Sequence, residues 1–294
     1  MYLVQLRGLA LIALAACGGE PPPPASKPAP APPPVTPPAP PPVKPAEPPD
    51  SYPDLASALT ATIPADARVV GFGELHARTD RAQAKSALAR FTDALPAFGD
   101  KVSDLIVETW IPPGNCQKEA EHASQSVAKE TKRPVETKSE IAMLAEAARA
   151  KGVQPHAMRV TCDDFKRITA AKPDDQLLML LELTRRELGR ISVEAVEHRD
   201  REATHRPWIA LYGGALHNDR FPDPAVAQYS YAPDADKVTK DHFVEVDLIV
   251  PEFAEADELS HKQPWFAVAH AADARFHVWK RGERSFVIVL PKSQ

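Results

Sequence analysis

The sequence predicts an α/β domain whose central sheet is mainly parallel and flanked by helices, closed by an antiparallel hairpin near the C-terminus. Three observations carry this. Short apolar, β-branched runs recur along the chain, such as ARVVGF (67–72), DLIVET (104–109) and WIALYG (208–213). Segments with apolar residues at helical spacing lie between the early runs, and strands alternating with helices imply parallel pairing through crossovers. The last two runs, FHVWK (276–280) and SFVIVL (285–290), are separated only by a short polar stretch containing RGER, which reads as a hairpin.

Taken in chain order, residues 1–16 read as a signal peptide. Arg7 is their one charge, and LALIALAA leads into Cys17. That apolar run is too short to span a bilayer as a helix. Leu14-Ala15-Ala16-Cys17 resembles a bacterial lipobox, which implies cleavage before Cys17 and lipidation of its thiol. Cys17 would then anchor the chain to a lipid membrane in the cell envelope, and Gly18 in place of an aspartate points to the outer membrane. Residues 17–50 form the lipidated cysteine and a tether. Of the chain's 32 prolines, 17 fall between Glu20 and Asp50. Proline removes amide donors and fixes φ, so the segment should be an extended polyproline II spacer reaching roughly 90 Å at most. Residues 51–294 are enough for one sizeable α/β domain.

Within that domain, RAQAKSALARFTDAL (81–95) and SEIAMLAEAARAKG (139–152) read as helices, the second stopping at Gly152. DDQLLMLLELTRRELGRISVEAVEHRDRE (174–202) is the longest helical pattern, and its Glu182, Glu187, Glu194 and Glu197 read as a solvated face. The further strands are VQPHAMRV (153–160) and HFVEVDLIV (242–250). The polar stretch from Pro112 to Lys138 reads as an irregular insertion. Cys116 and Cys162 both sit in loop-like sequence, and an even pair in an oxidising envelope predicts a disulfide.

The formal charge is -5, with no basic patch and no aromatic-basic stripe, which argues against a nucleic-acid partner. No glycine-rich phosphate loop is present. The expected partner is instead a small molecule or peptide substrate.

Parallel sheets bind ligands beyond the carboxyl ends of their strands, so the polar residues after each run matter most. They are Gly73, Glu74 and His76 after the first, Glu108 after the second, Arg159, Asp163 and Asp164 after the third, and Gly213, Gly214 and His217 after the fourth. Residues two apart in extended backbone point the same way, so Glu74 and His76 can address one point. Gly73 and the Gly213-Gly214 pair would let the chain turn sharply. Glu108 ends a run that should be buried, where an unpaired carboxylate is costly. Two carboxylates and two imidazoles at one rim could hold a divalent metal such as zinc or manganese. They could equally orient a water, with a carboxylate as general base.

VVGFGELH, LIVET and IALYGGALH resemble the sequence blocks of the superfamily that contains Tiki and TraB proteins, erythromycin esterase-like proteins and ChaN-like haem-uptake lipoproteins. The resemblance spans most of Val69 to Asp219 and is carried by about twenty residues: Gly73-Glu74-Leu75-His76 early, an acid after the next strand, and Gly214-Ala215-Leu216-His217 late. It implies metal-dependent peptide hydrolysis, water activation by Glu and His in an esterase, or haem binding by a lipoprotein. It assigns the functional set to Glu74, His76, Glu108 and His217, with Arg159 as a candidate for binding an anionic or carbonyl group. Two readings follow: an envelope-anchored hydrolase, and a non-catalytic lipoprotein that binds haem or another small ligand. No Tyr or His beside the early block offers haem an obvious axial ligand.

Overall fold

A computed structural model describes residues 49–81, 83–202 and 206–293. Cys17, the signal peptide, His205 and nearly all of the tether lie outside the described residues. Eight strands make one sheet: β1 (Asp50–Tyr52), β2 (Val69–Glu74), β3 (Val102–Trp110), β4 (Gln154–Met158), β5 (Trp208–Gly214), β6 (Phe243–Ile249), β7 (Phe276–Gly282) and β8 (Ser285–Val289). The helices are α1 (Leu55–Thr62), α2 (Ala87–Phe98), α3 (Gln117–Thr131), α4 (Thr137–Ala150), α5 (Cys162–Ala170), α6 (Pro173–Arg201), α7 (Ala215–Asn218), α8 (Ala232–Thr239), α9 (Pro251–Glu255) and α10 (Phe266–His270). Among the described residues, no helix is long and apolar enough to cross a membrane.

The strands run in the order β1-β7-β8-β6-β2-β5-β3-β4. From β8 to β4 every neighbouring pair is parallel; β7 is antiparallel to both β8 and β1. The fold is therefore the mainly parallel α/β sheet with an antiparallel C-terminal hairpin that the alternating pattern predicts. Strand β1 escaped that reading. Its three residues carry no run of their own, and pairing to β7 alone holds them extended, so Asp50 belongs to the sheet.

Helices cover both faces, which is why the parallel strands read as continuous apolar runs. Val70 and Phe72 join Leu59 of α1, Phe91 and Leu95 of α2 and Leu144 of α4 on one face. Val69, Ile106 and Leu211 meet Phe165 of α5 and Leu183, Leu188 and Val196 of α6 on the other. Gly152 follows α4 at φ 65°, the left-handed position that a helix stop requires.

Two expectations need correction. The stretch from Pro112 to Lys138 is not irregular, because α3 occupies most of it. Its inward face is made of small residues, with Ala120 and Ala123 buried, so no large apolar side chain marks the helical period. Glu187 is not on a solvated face. It is buried on α6 between Arg186 at 3.3 Å and Arg190 at 2.9 Å, the pairing that makes burial of a carboxylate tolerable.

Cys116, which precedes α3, is disulfide-bonded to Cys162 at the start of α5, with the Cα atoms 5.4 Å apart. The bridge fastens one end of α3 to the domain. Arg133 lies just past the other end.

Candidate functional site

Strand β5 lies between β2 and β3, so its carboxyl end is flanked by both. Glu74 is the last residue of β2 and is buried. His76 follows two residues on, and its Nδ1 lies 2.7 Å from Glu74 Oε1. The hydroxyl of Tyr212 on β5 donates to the other carboxylate oxygen, Oε2, at 2.6 Å. Glu74 thus has both oxygens satisfied and acts as an orienter of the imidazole.

Glu108 arrives from the opposite side. The β3–β4 pairing breaks register between Val107 and Trp110, so Glu108 lies in an irregularity of the kind that re-aims a side chain. It crosses the end of β5 and accepts from the Gly214 amide through Oε2 at 2.6 Å. Its Oε1 is 3.8 Å from His76 Nε2 and 3.6 Å from Arg133 Nη2. That oxygen is the carboxylate atom with unused accepting capacity.

The two glycines of β5 allow this crossing by their lack of bulk. A Cβ on Gly213 would lie 2.5 Å from Glu108 Oε2 and 2.8 Å from Glu108 Cβ; one on Gly214 would lie 2.8 Å from His76 Nε2. Neither glycine takes a positive φ, so the sharp turn expected of them is not their task.

Arg133 donates from Nη2 to His76 Nε2. An arginine can only donate, so Nε2 is the acceptor and Nδ1 carries the proton given to Glu74. The tautomer of His76 is fixed by its two neighbours. Burial pushes the Glu108 carboxyl upward, but His217, His76, Arg133 and the Gly214 amide outweigh it, and Glu108 is held below the usual carboxylate range. It is an ionised acceptor at neutral pH.

His217 sits on α7, only 3% exposed. Its Nδ1 donates to the Tyr229 carbonyl at 2.8 Å, and Nε2 takes no hydrogen bond among the described residues. Burial lowers its pKa, the nearby Glu108 opposing, so the ring stays neutral. His217 is close enough to Glu108 and His76 for each to act on its charge. Burial, and then the charge of Glu74, raise the Tyr212 phenol well above its ordinary range, which keeps it a donor.

Glu74, His76 and Glu108 are therefore brought together directly, with His217 beside them. Arg159 is not. It is exposed just past β4 and makes no hydrogen bond or ion pair with the four, among the described residues. Arg133 stands in its place. Nothing in the polar stretch around ETKRPVE marks Arg133. Tyr212 also escapes the sequence reading; the pairing of Phe72 with Tyr212 puts its ring on the same face as Glu74.

As arranged, the donor set leaves a metal ion only Glu108 Oε1 and His217 Nε2, fewer than the three protein ligands a catalytic zinc takes. Both oxygens of Glu74, both nitrogens of His76 and one oxygen of Glu108 already face protein groups, and the Arg133 cation fills the gap between His76 and Glu108. Among the described residues no group of three or more His, Cys, Asp or Glu could hold a metal. Haem fares no better at His76, whose ring offers it no free nitrogen.

A second buried polar cluster lies along β6. Arg281 bridges Asp219 at 2.7 Å and Glu245 at 3.0 Å, and Asp247 accepts from Asn218 at 3.3 Å. Burial and mutual repulsion raise Glu245 and Asp247 above the carboxylate range. Arg281 offsets only part of this charge, and Asn218 Oδ1 is a buried acceptor without a hydrogen-bond partner among the described residues.

A cavity of about 640 Å³ opens beside Glu108 and Arg133, between β3, α3 and the α3–α4 connection. No protein-family profile matches the chain, and no curated protein does. Among solved structures, the type III effector HopBA1 aligns at 14% identity, covering 84% of this chain and 97% of that chain, with a TM-score of 0.38. A likeness at that level carries no argument about this chain.

Proposed function

We propose that this chain is an envelope-tethered hydrolase of ester or peptide bonds that activates water with Glu108 and His76. The observation that supports it is the ionised Glu108 Oε1, with accepting capacity to spare, held beside an imidazole of fixed tautomer and a guanidinium at one rim of the sheet. In this reading Glu108 Oε1 orients a water. The substrate carbonyl draws Arg133 off His76 Nε2, and the guanidinium then meets the developing oxyanion. The water oxygen bonds to the carbonyl carbon while its proton passes to His76 Nε2. The carbon–oxygen or carbon–nitrogen bond breaks, and His76 returns that proton to the leaving alcohol or amine. Glu74 and Tyr212 hold the ring throughout, as the third member of a nucleophile–base array does. His217, neutral and with no hydrogen bond at Nε2 among the described residues, is a second proton acceptor in the site.

The test is turnover of a panel of ester and amide substrates by the purified chain, compared with Glu108→Gln and with His76→Ala. Each variant should lose at least about a hundredfold in kcat, the span typical of a positioned acid–base group. Variants as active as the native chain on every substrate would dismiss the proposal. Lipidation of Cys17 is read separately, from the mass of the membrane-extracted protein before and after Cys17→Ser.

A further inference from the structure

The cavity beside the site has a volume of about 640 Å³, inside the roughly 300–1,000 Å³ range of small-molecule sites. Glu108 and Arg133 form part of its wall, so it is continuous with the groups proposed to act on the scissile carbonyl. Much of the remainder is apolar: Trp110 from β3, Ala120 and Ala128 from α3, Val135 from the connection and Ile141 from α4. Two alanines on one face of α3 leave room that larger side chains would fill. Val135 is 83% exposed, an apolar side chain left in water where the cavity meets the surface. Glu108 and Arg133 place charge at the end shared with the site; Glu121 and Lys138 also border the cavity, while most of its lining surface is apolar. A ligand with a polar carbonyl head and an aliphatic tail could set its head at Arg133 and lay its tail along Trp110, Ala120 and Ala128.

We propose that this cavity takes the aliphatic acyl arm of the substrate, so that the chain acts on medium-chain acyl esters or amides, with the acyl carbonyl at Arg133. This rests on the hydrolase reading for its chemistry, but the binding of the arm can be measured without turnover.

The experiment has two arms. In the first, decanoate and acetate are titrated calorimetrically into the native chain, Ala128→Trp and Val135→Asp. Both positions are exposed and lie outside the catalytic groups, so folding and the basal chemistry should survive. The native chain should bind decanoate at least tenfold more tightly than acetate, and both variants should lose that preference. In the second, 4-nitrophenyl esters from acetate to decanoate are compared. The native kcat/KM should climb by up to about fourfold per methylene until the cavity is full, the ratio given by burying one methylene. Ala128→Trp should flatten the climb and leave the acetate ester unchanged. Decanoate binding no better than acetate, or a preference untouched by both variants, overturns the inference. Esters cleaved without regard to chain length would leave the hydrolase standing and remove the acyl pocket. Decanoate binding lost in Ala128→Trp, with no ester cleaved, would do the reverse.

Discussion

Replacing Tyr212 by Phe removes one oxygen from the interior and nothing else of consequence. The ring keeps its contact with Phe91, whose centroid is 4.8 Å away. What is lost is the 2.6 Å hydrogen bond to Glu74 Oε2, in a site where Glu74 is 7% exposed and water is a poor substitute. A hydrogen bond to a charged group is worth about 1.5–3 kcal/mol, and leaving a buried acceptor unpaired falls in the same range, so Tyr212→Phe should cost about 2 kcal/mol. With a urea slope near 2.5 kcal/mol/M for a domain of this size, the midpoint falls by about 0.8 M. Activity should fall by roughly 10- to 100-fold, because Glu74 would no longer hold the His76 ring to one orientation. A double-mutant cycle with Glu74→Gln isolates the pair, and its coupling energy should be about 1–2 kcal/mol. A coupling near zero, or native activity in Tyr212→Phe, would refute the view that Glu74 and Tyr212 are positioning residues.

The remaining consequences concern the framework and the charges around it. Removing the disulfide with Cys116→Ala and Cys162→Ala opens a loop of 46-residue separation, for which chain entropy predicts a loss of about 4 kcal/mol, checked by chemical denaturation against the native chain under oxidising conditions. Arg133→Met should lower kcat about 10²–10³-fold, as loss of an oxyanion donor does, whereas Arg159→Met should leave turnover as it was; equal losses would restore Arg159 to the site. His217 has its pKa lowered by burial, so as pH falls below about 6.5 the unfolded chain takes up a proton that the folded one resists. Stability from this group is therefore present above that pH and lost below it, by at most about 1.4 kcal/mol per pH unit. Urea midpoints at pH 5, 6 and 7 should fall less steeply in His217→Asn than in the native chain.

The legible and illegible parts of the sequence divide along physical lines. The central strands β2, β5 and β6 are buried apolar runs, because burial on two faces forces that composition, whereas β4 (QPHAM) and β7 (FHVWKRG) are only partly buried and show it less. Helices α4 and α6 show through large apolar residues at helical spacing. Helix α3 does not, since it packs through alanines, chiefly against α5, and alanine carries no periodic contrast against glutamine, glutamate and lysine. The four candidate site residues are legible because they end the runs, where a parallel sheet concentrates its functional groups. Arg133 comes from a connection between helices, and its place beside His76 is set by tertiary packing that no local pattern encodes. The charge of Arg281, which offsets Asp219 and Glu245, is likewise invisible until β6 and β7 are placed on either side of β8.

The glycines of β5 allow the geometry itself to be tested. Side chains from β2 and β3 both fold across the end of β5, so the atoms nearest each missing Cβ say which substitution the site can absorb. At Gly214 the nearest atom is the tip of the His76 ring at 2.8 Å, and a small tilt can relieve it. At Gly213 the new methyl meets Glu108 Oε2 at 2.5 Å and also Glu108 Cβ at 2.8 Å, and the latter is fixed to the backbone of β3 and cannot swing away. Relief there must come from moving the strand, which puts Gly213→Ala in the roughly 1–3 kcal/mol range of overpacked interiors. Gly214→Ala should cost less than about 1 kcal/mol, yet still impair turnover by pushing His76 off Glu74 and Arg133. The two alanine variants, compared for denaturation midpoint and kcat, should therefore separate: the first loses stability and activity together, the second mostly activity. If Gly213→Ala proves as stable as the native chain, Glu108 does not cross β5 as closely as described, and its proposed hold on water goes with it.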